Sequence, residues 1–391
     1  MDAVNAGSVV LITGARAPAA LDLARTFRAA GHRVHMADCS PCWTARLSKA
    51  PEAVHAYASP VSRPETFATD IVRLLDILKP ALVVPACEEV FHLAALAQPA
   101  STLTASLFAP PLETLRTLHS KHLFARACAD MGLPVPETWA LNDSTDLVGL
   151  PPSSALVFKP EYSRFGVHAL IQPQRGQLNT LAISAQRPWV AQRHVAGVEM
   201  SFYAIARAGH LTAFCAYGST WRERGGASYA FEAADARTTA ALRDLAGALA
   251  AGIVRDGQFA CDAIFDADGR PWLLECNPRA TSGLHLFTRD PALAHAFFGN
   301  APCVEPSNPP FLYLGPAFGL FGLPAALRAG NLAEWRTLRR EGRDVIGAPD
   351  DRLPLAGALI DSLAFALKAA ASGSSLAAAM TADIEWNGAD S

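Results

Sequence analysis

Apolar residues recur along this chain in two rhythms: short unbroken runs closed by Gly, Asp or Pro, and longer stretches repeating every three or four positions. Residues 9–13 form a run that ends at Gly14, and a helical pattern over 19–30 stops at Gly31. A second run, 33–37, ends at Asp38; a helical stretch over 65–78 then precedes a third run, 81–85. Strand, helix and strand in alternation predict an open, doubly wound parallel sheet over residues 1–115. The Gly14 loop lacks the G-x-G-x-x-G spacing, so nothing there marks a dinucleotide site.

The pattern then changes. A helix over 120–131 is closed by Gly132 and Pro134. Strand-like runs follow at 155–159, 167–171, 189–194, 200–206 and 211–217, then a helix at 238–251. Runs at 259–266 and 270–276 are joined by Asp266-Ala267-Asp268-Gly269, a hairpin turn. Residues 116–300 therefore read as α+β with much antiparallel sheet. Residues 301–391 carry helical patterns and form a C-terminal extension. Within it, 306–327 has no charge, but its Pro and Gly residues would interrupt a helix repeatedly, so a buried loop with a short strand is expected. The run 355–371 holds Asp361 and Lys368 and reads as a packed helix rather than a span. No basic segment precedes the first apolar run, so a signal peptide is not expected.

Composition narrows the classes. Hydrophobic residues make up 51% and charged residues 18%, the balance of a chain that folds. Lys plus Arg (33) against Asp plus Glu (36) leaves no basic excess for nucleic acid. The eight Cys are scattered and imply reduced thiols, hence a cytoplasmic protein without a membrane partner. Cys39-Ser-Pro-Cys42 is a C-x-x-C with no second pair, which makes a poor zinc or redox site.

The chemistry concentrates at residues 259–283. Asp262 and Glu275 flank the hairpin turn at positions that can pair across it. Glu275 and Asn277, two apart, share one strand face. Three oxygen donors would then converge, a set suited to Mg²⁺ that also binds phosphate. Arg279 adds a fixed cationic fork. The bland alternative, a solvated surface hairpin, sits poorly with Phe259, Ile264, Phe265, Trp272, Leu273 and Leu274 around it. Only five lysines occur (49, 79, 121, 159 and 368). Lys159 ends an apolar run, where it either meets phosphate or snorkels to water. Lys121 opens a helix and, taken alone, reads as a surface lysine. The segment from Val190 to Glu199 is a strand, a connector and another strand; its backbone could read a base edge, and Glu199 could take ribose hydroxyls.

In this order, these elements resemble the ATP-grasp superfamily, nearest its carbamoyl-phosphate-synthetase-like and biotin-carboxylase-like branch. The resemblance covers residues 8–290. It rests on Val83-Val84-Pro85-Ala86-Cys87-Glu88-Glu89, on Lys121 with Phe124 and Gly132-Leu133-Pro134-Val135-Pro136, and on Glu275-Cys276-Asn277-Pro278-Arg279. It implies an ATP-grasp fold with an N-terminal Rossmann-like domain. It implies Lys121 and Lys159 as nucleotide-phosphate lysines, and Gln192, Arg193 and Val195 as the adenine connector. Glu199 becomes the ribose ligand, Asp262, Glu275 and Asn277 the metal ligands, and Arg279 the arginine on the reacting phosphate. Two positions depart from the family. The phosphate-covering loop, 161–166, has one glycine, so Ser163 and Arg164 would replace backbone contacts, and Gln192 stands where the family often has Glu.

The resemblance implies an ATP-dependent carboxylate–amine ligase using ATP and Mg²⁺ (or Mn²⁺), with a small-molecule carboxylate and an amine as substrates. Carboxylation with bicarbonate, carbamoyl transfer and a non-catalytic nucleotide-binding module are the rival readings. Arg222 and Arg224, in a polar glycine-bearing loop, and His285, beyond Arg279, are candidate substrate contacts. The C-terminal extension could complete the substrate pocket or make a homodimer contact.

Overall fold

The computed structural model describes residues 7–97, 101–163, 169–222, 228–299 and 302–388. Four parallel strands open the chain: β1 (Val9–Thr13), β2 (Arg33–Asp38), β3 (Ala53–Ala56) and β4 (Leu82–Pro85). Their order is β3-β2-β1-β4, so the chain runs outward to β3 and returns to the far side of β1. The point of reversal lies between β1 and β4, where an open α/β sheet offers a crevice at its carboxyl ends. The helices Pro18–Ala29 and Pro64–Leu78 cover the sheet, each with Pro in its first turn, where a missing N–H costs nothing. β3 is not expected from the pattern; it is four residues long and largely half-buried, so it carries no apolar alternation.

A four-stranded antiparallel sheet follows, ordered β5-β8-β6-β7: β5 (Thr138–Leu141), β6 (Leu156–Pro160), β7 (Leu170–Ile171) and β8 (Trp189–Arg193). The large sheet has seven strands. They are β9 (Val198–Arg207), β10 (His210–Gly218), β11 (Ala230–Ala233), β12 (Gly257–Phe265), β13 (Pro271–Asn277), β14 (Leu312–Tyr313) and β15 (Arg343–Asp344), in the order β13-β12-β9-β10-β11-β14-β15. The turn between β12 and β13 closes on Asp266, whose Oδ1 accepts from the backbone N–H groups of Asp268 and Arg270, with Gly269 at φ +76°. The helix Ala236–Leu249 is capped by Asp235 and packs Leu242, Leu245, Ala246 and Leu249 against one face of this sheet.

Three expectations need correction. Residues 315–329 are helical, not loop, because Pro316 and Pro324 fall in first turns where proline is tolerated. The helix Pro354–Ser372 exists, but it is packed only along its inner edge; Leu359, Leu363 and Leu367 are each more than 60% exposed. The segment after β10 does not lead directly to a helix, because β11 intervenes.

One apolar cluster joins the N-terminal sheet to the large sheet and the C-terminal segment: Val10, Ile12 and Phe27 pack with Tyr203, Phe287, Leu312 and Val345. We propose the divisions 1–115, 116–300 and 301–391 as lobes around this shared core.

Candidate active site

The site is built on a single row of cross-strand neighbours. Tyr217 on β10 opposes Ser201 on β9, Ser201 opposes Asp262 on β12, and Asp262 opposes Glu275 on β13. Directly opposed residues share a face, so four polar side chains line up across four strands. Asn277 opposes Ala260, two residues from Asp262, and falls on the same face. Cys261 and Cys276 oppose one another on the other face, buried with Phe202 and Phe259. A bulge after Asp262 leaves Leu274 without a partner and separates the acidic pair from the Ile264–Trp272 pair.

Charge is divided unevenly here. Burial, together with the facing Glu275, pushes Asp262 up to about 6, although Ser201 Oγ donates to its Oδ1 at 2.6 Å. Burial opposes ionisation of Glu275 too, but Lys121 and Lys159 outweigh it and hold that carboxyl below its usual range. Lys121 Nζ lies 3.4 Å from Glu275 Oε2 and donates to the carbonyls of Glu161 and Ser163, each at 3.3 Å. With 3% exposure it is no surface lysine. Ser120 caps the helix Lys121–Asp130 and donates to the Glu161 carboxylate, which ties that helix to the end of β6. Lys159, at the end of β6, is depressed to about 8, chiefly by burial. One lysine from the start of a helix and one from the end of β6 thus face an acidic pair on the large sheet.

Arg279 follows β13 and donates to Asn277 Oδ1 at 3.3 Å and to the Ala280 carbonyl at 3.2 Å. Its charge also reaches Cys87, at the carboxyl end of β4. Gln258 links the same regions: its Nε2 donates to the Pro85 carbonyl at 2.6 Å, and its Oε1 accepts from Tyr203 at 2.9 Å. The acidic row therefore adjoins the reversal point of the N-terminal sheet. There Gly14 (φ +68°) lies so close to Glu89 Oε1 that a Cβ would meet it at 2.8 Å.

At the other end, the connector 193–196 borders a cavity of about 590 Å³. It is lined by Arg193, His194 and Val195 on one side, and by Val135, Asp266 and Trp272 among others. Arg193 is anchored outward to Glu137, Nη2 to Oε2 at 2.9 Å. The connector's backbone groups thus border a cavity large enough for a base.

No protein-family model matches the sequence, and no curated protein does. Solved structures do. The chain superposes on an N5-carboxyaminoimidazole synthetase from Staphylococcus aureus complexed with ADP, at a TM-score of 0.63 and 13% identity over 84% of this chain and 88% of that one. It superposes on an L-amino acid ligase from Bacillus licheniformis at 0.55 and 16% (72% and 69% covered). A biotin carboxylase from Campylobacter jejuni matches at 0.57 and 14% (75% and 72%). The chain has the ATP-grasp fold.

Several expected residues sit differently within the ATP-grasp fold. His285 is 3% exposed, and its Nδ1 lies 2.7 Å from Asp22 Oδ2, which ties it to the helix Pro18–Ala29. Arg222 pairs with Glu199, so the two candidates for ribose and substrate contact neutralise each other. Gln192 is buried in its sheet, on the face it shares with Lys159, and donates from Nε2 to Thr138 Oγ1 at 3.0 Å. Ser163 meets Lys121 through its carbonyl. Arg164 and Arg224 lie outside the described residues. Sequence reasoning misses Ser201 and Glu161. Ser201 stands two residues beyond Glu199, so the period of a strand would have placed both on one face.

Proposed function

We propose that this protein is an ATP-dependent carboxylate–amine ligase that releases ADP and phosphate. The observation that carries this reading is the acidic row Asp262–Glu275 with Asn277, facing Lys121 from the start of its helix and Lys159 from the end of β6, with Arg279 at its inner end. The solved neighbours described as a ligase, a synthetase with ADP and a carboxylase support ATP-dependent chemistry at this fold.

Two carboxylates and an amide oxygen on one face of the β12–β13 ladder are hard donors that fit Mg²⁺ or Mn²⁺. Asp262, Glu275 and Asn277 would hold the metal, which would neutralise phosphate charge. Lys121 from its helix and Lys159 from the end of β6 supply positive charge to the phosphates, and the connector 193–196 borders the base. A substrate carboxylate oxygen attacks the γ-phosphorus, the bond to the bridging oxygen of ADP breaks, and an acyl phosphate forms. Arg279 stabilises the transferring phosphoryl group. The amine then attacks the acyl carbon, loses a proton, and phosphate leaves.

The test is nucleotide product analysis with ATP and Mg²⁺ across a grid of carboxylic acids and amines. ADP and phosphate that appear only with a particular pair establish the ligase. ADP formed with bicarbonate or with an acid alone moves the reading to carboxylation or to another acceptor. AMP and pyrophosphate overturn the mechanism, and nucleotide binding without turnover favours the non-catalytic module. Glu275→Ala should abolish ADP release while circular dichroism stays unchanged; retained activity sinks the assignment.

A further inference from the structure

Asp262 has two carboxylate oxygens, and the chain holds one of them. Ser201 Oγ donates to Oδ1 at 2.6 Å, the short separation of a hydroxyl on a charged acceptor. Among the described residues Oδ2 has no hydrogen-bond partner. The two side chains meet because Ser201 and Asp262 are directly opposed on β9 and β12. The ladder register, rather than a loop, therefore sets this bond. Ser201 is held in turn by what surrounds it. Tyr217 opposes it from β10 and is 7% exposed. The Tyr217 hydroxyl lies 3.4 Å from Thr281 Oγ1, two residues beyond Arg279. Gly283 presses on the Tyr217 ring so closely that a Cβ would meet Cε1 at 2.7 Å, and the Gly283 carbonyl accepts from Cys215 Sγ at 3.2 Å. Burial pushes the Tyr217 phenol up, so it stays neutral and does not compete with Asp262 as a charged acceptor.

We propose that Ser201 is a positioning residue for the divalent cation: by occupying Oδ1 it fixes the plane of the Asp262 carboxyl, leaves Oδ2 alone to meet the metal, and so favours Mg²⁺ or Mn²⁺ over Ca²⁺. This rests on the metal role proposed above for Asp262, Glu275 and Asn277. The terminal torsion of an aspartate is broad and twofold. Glu275 faces it across the ladder and repels its charge. Without Ser201 the carboxyl is free to turn away from Glu275 or to offer both oxygens at once. A carboxylate that offers both oxygens suits the large, flexible shell of Ca²⁺, whereas one oxygen per donor suits the compact octahedron of Mg²⁺. Hydrogen bonds that orient metal ligands are worth about 10–100-fold in metal affinity.

The test is calorimetric titration of the full chain with ADP alone, with ADP and Mn²⁺, and with ADP and Ca²⁺. Mn²⁺ should tighten ADP binding to the parent. Ser201→Ala should lose about tenfold or more of that enhancement, lose less of any Ca²⁺ enhancement, and bind ADP alone as the parent does. Ser201→Thr keeps the hydroxyl and should respond to both cations as the parent does. A parent whose ADP binding ignores Mn²⁺ removes the metal reading itself. A responsive parent with an equally responsive Ser201→Ala chain overturns the role of Ser201 alone. Equal losses with both cations, or weaker binding of ADP alone, overturn it too, because they mark a general structural part. Should Ser201→Ala lose its circular dichroism spectrum, infrared spectra of the parent with isotope-labelled aspartate decide. Mg²⁺ with ADP should widen the splitting of the carboxylate stretching bands, as ligation through one oxygen does, and a narrowed splitting overturns the proposal.

Discussion

Asp262 holds its proton more tightly than an ordinary aspartate because Glu275 faces it across the ladder in a buried setting. Its carboxyl is raised from 3.8 to about 6. An acid whose folded pKa is raised stabilises the fold below its unfolded pKa, and that benefit is lost as pH rises through the folded value. Above pH 6 the pair therefore weighs against the fold. Asp262→Asn keeps an acceptor for Ser201 Oγ and removes the repulsion. The variant should be more stable than the parent by about 1–3 kcal/mol at pH 7. That advantage should shrink as pH falls from 6 towards 3.8, and urea unfolding across this range checks it. A variant whose advantage over the parent is no larger at pH 7 than at pH 4 would show that the pair costs nothing. On the proposed metal-binding role of Asp262, the same substitution should abolish turnover. On the proposed role of Lys159 at the phosphates, Lys159→Gln should weaken ADP binding about tenfold or more by calorimetry.

At the scale of elements, the C-terminal segment acts as a strap. Arg16 holds Asp383 at 2.5 Å, Ser59 Oγ donates to the Asp383 carbonyl at 2.7 Å, and Trp386 N–H donates to Glu88 at 3.3 Å. Trp386 stacks on Phe91 at 4.8 Å and meets Tyr162 edge-on at 5.5 Å, one residue from the carbonyl that Lys121 holds. Trp386→Ala should cost about 3–5 kcal/mol, read from chemical denaturation, with part of the loss recovered by Trp386→Phe. A loss below 1 kcal/mol would mean that the strap is dispensable. The hairpin pattern alone places Asp262 against Glu275, because a tight turn sets the register of its own strands. It does not place Ser201 or Tyr217, whose pairing to that row joins strands some sixty residues apart, or Trp386, which reaches Phe91 from the far end of the chain. Helix 315–329 is hidden for a different reason: prolines read as breakers, and only their place in first turns makes them compatible with a helix. Lys121 reads as a surface lysine when taken alone, since nothing local signals that Glu161 and Ser163 close over it.

At the scale of the molecule, buried charges join the three lobes. Arg25 on the helix Pro18–Ala29 bonds Asp351 at 3.0 Å and Asp22 at 3.2 Å, and Asp22 bonds His285 and Arg289 from the segment beyond β13. Arg25 also donates to the carbonyls of Val345 and Ile346, just after β15. This network lies against the shared apolar core, so separating any lobe would expose both apolar surface and unpaired ions. Removing one partner from a buried ion network costs about 3–5 kcal/mol. Asp351→Ala should therefore destabilise the whole chain by that amount. Calorimetry should show one transition shifted downward, rather than a C-terminal transition splitting away. A fragment ending at residue 300 should fail to fold, because β11 loses its neighbour β14 and Arg25 loses Asp351. Two resolved transitions in the intact chain, or a folded fragment, would mean that the lobes are independent and that the core between them is only a contact.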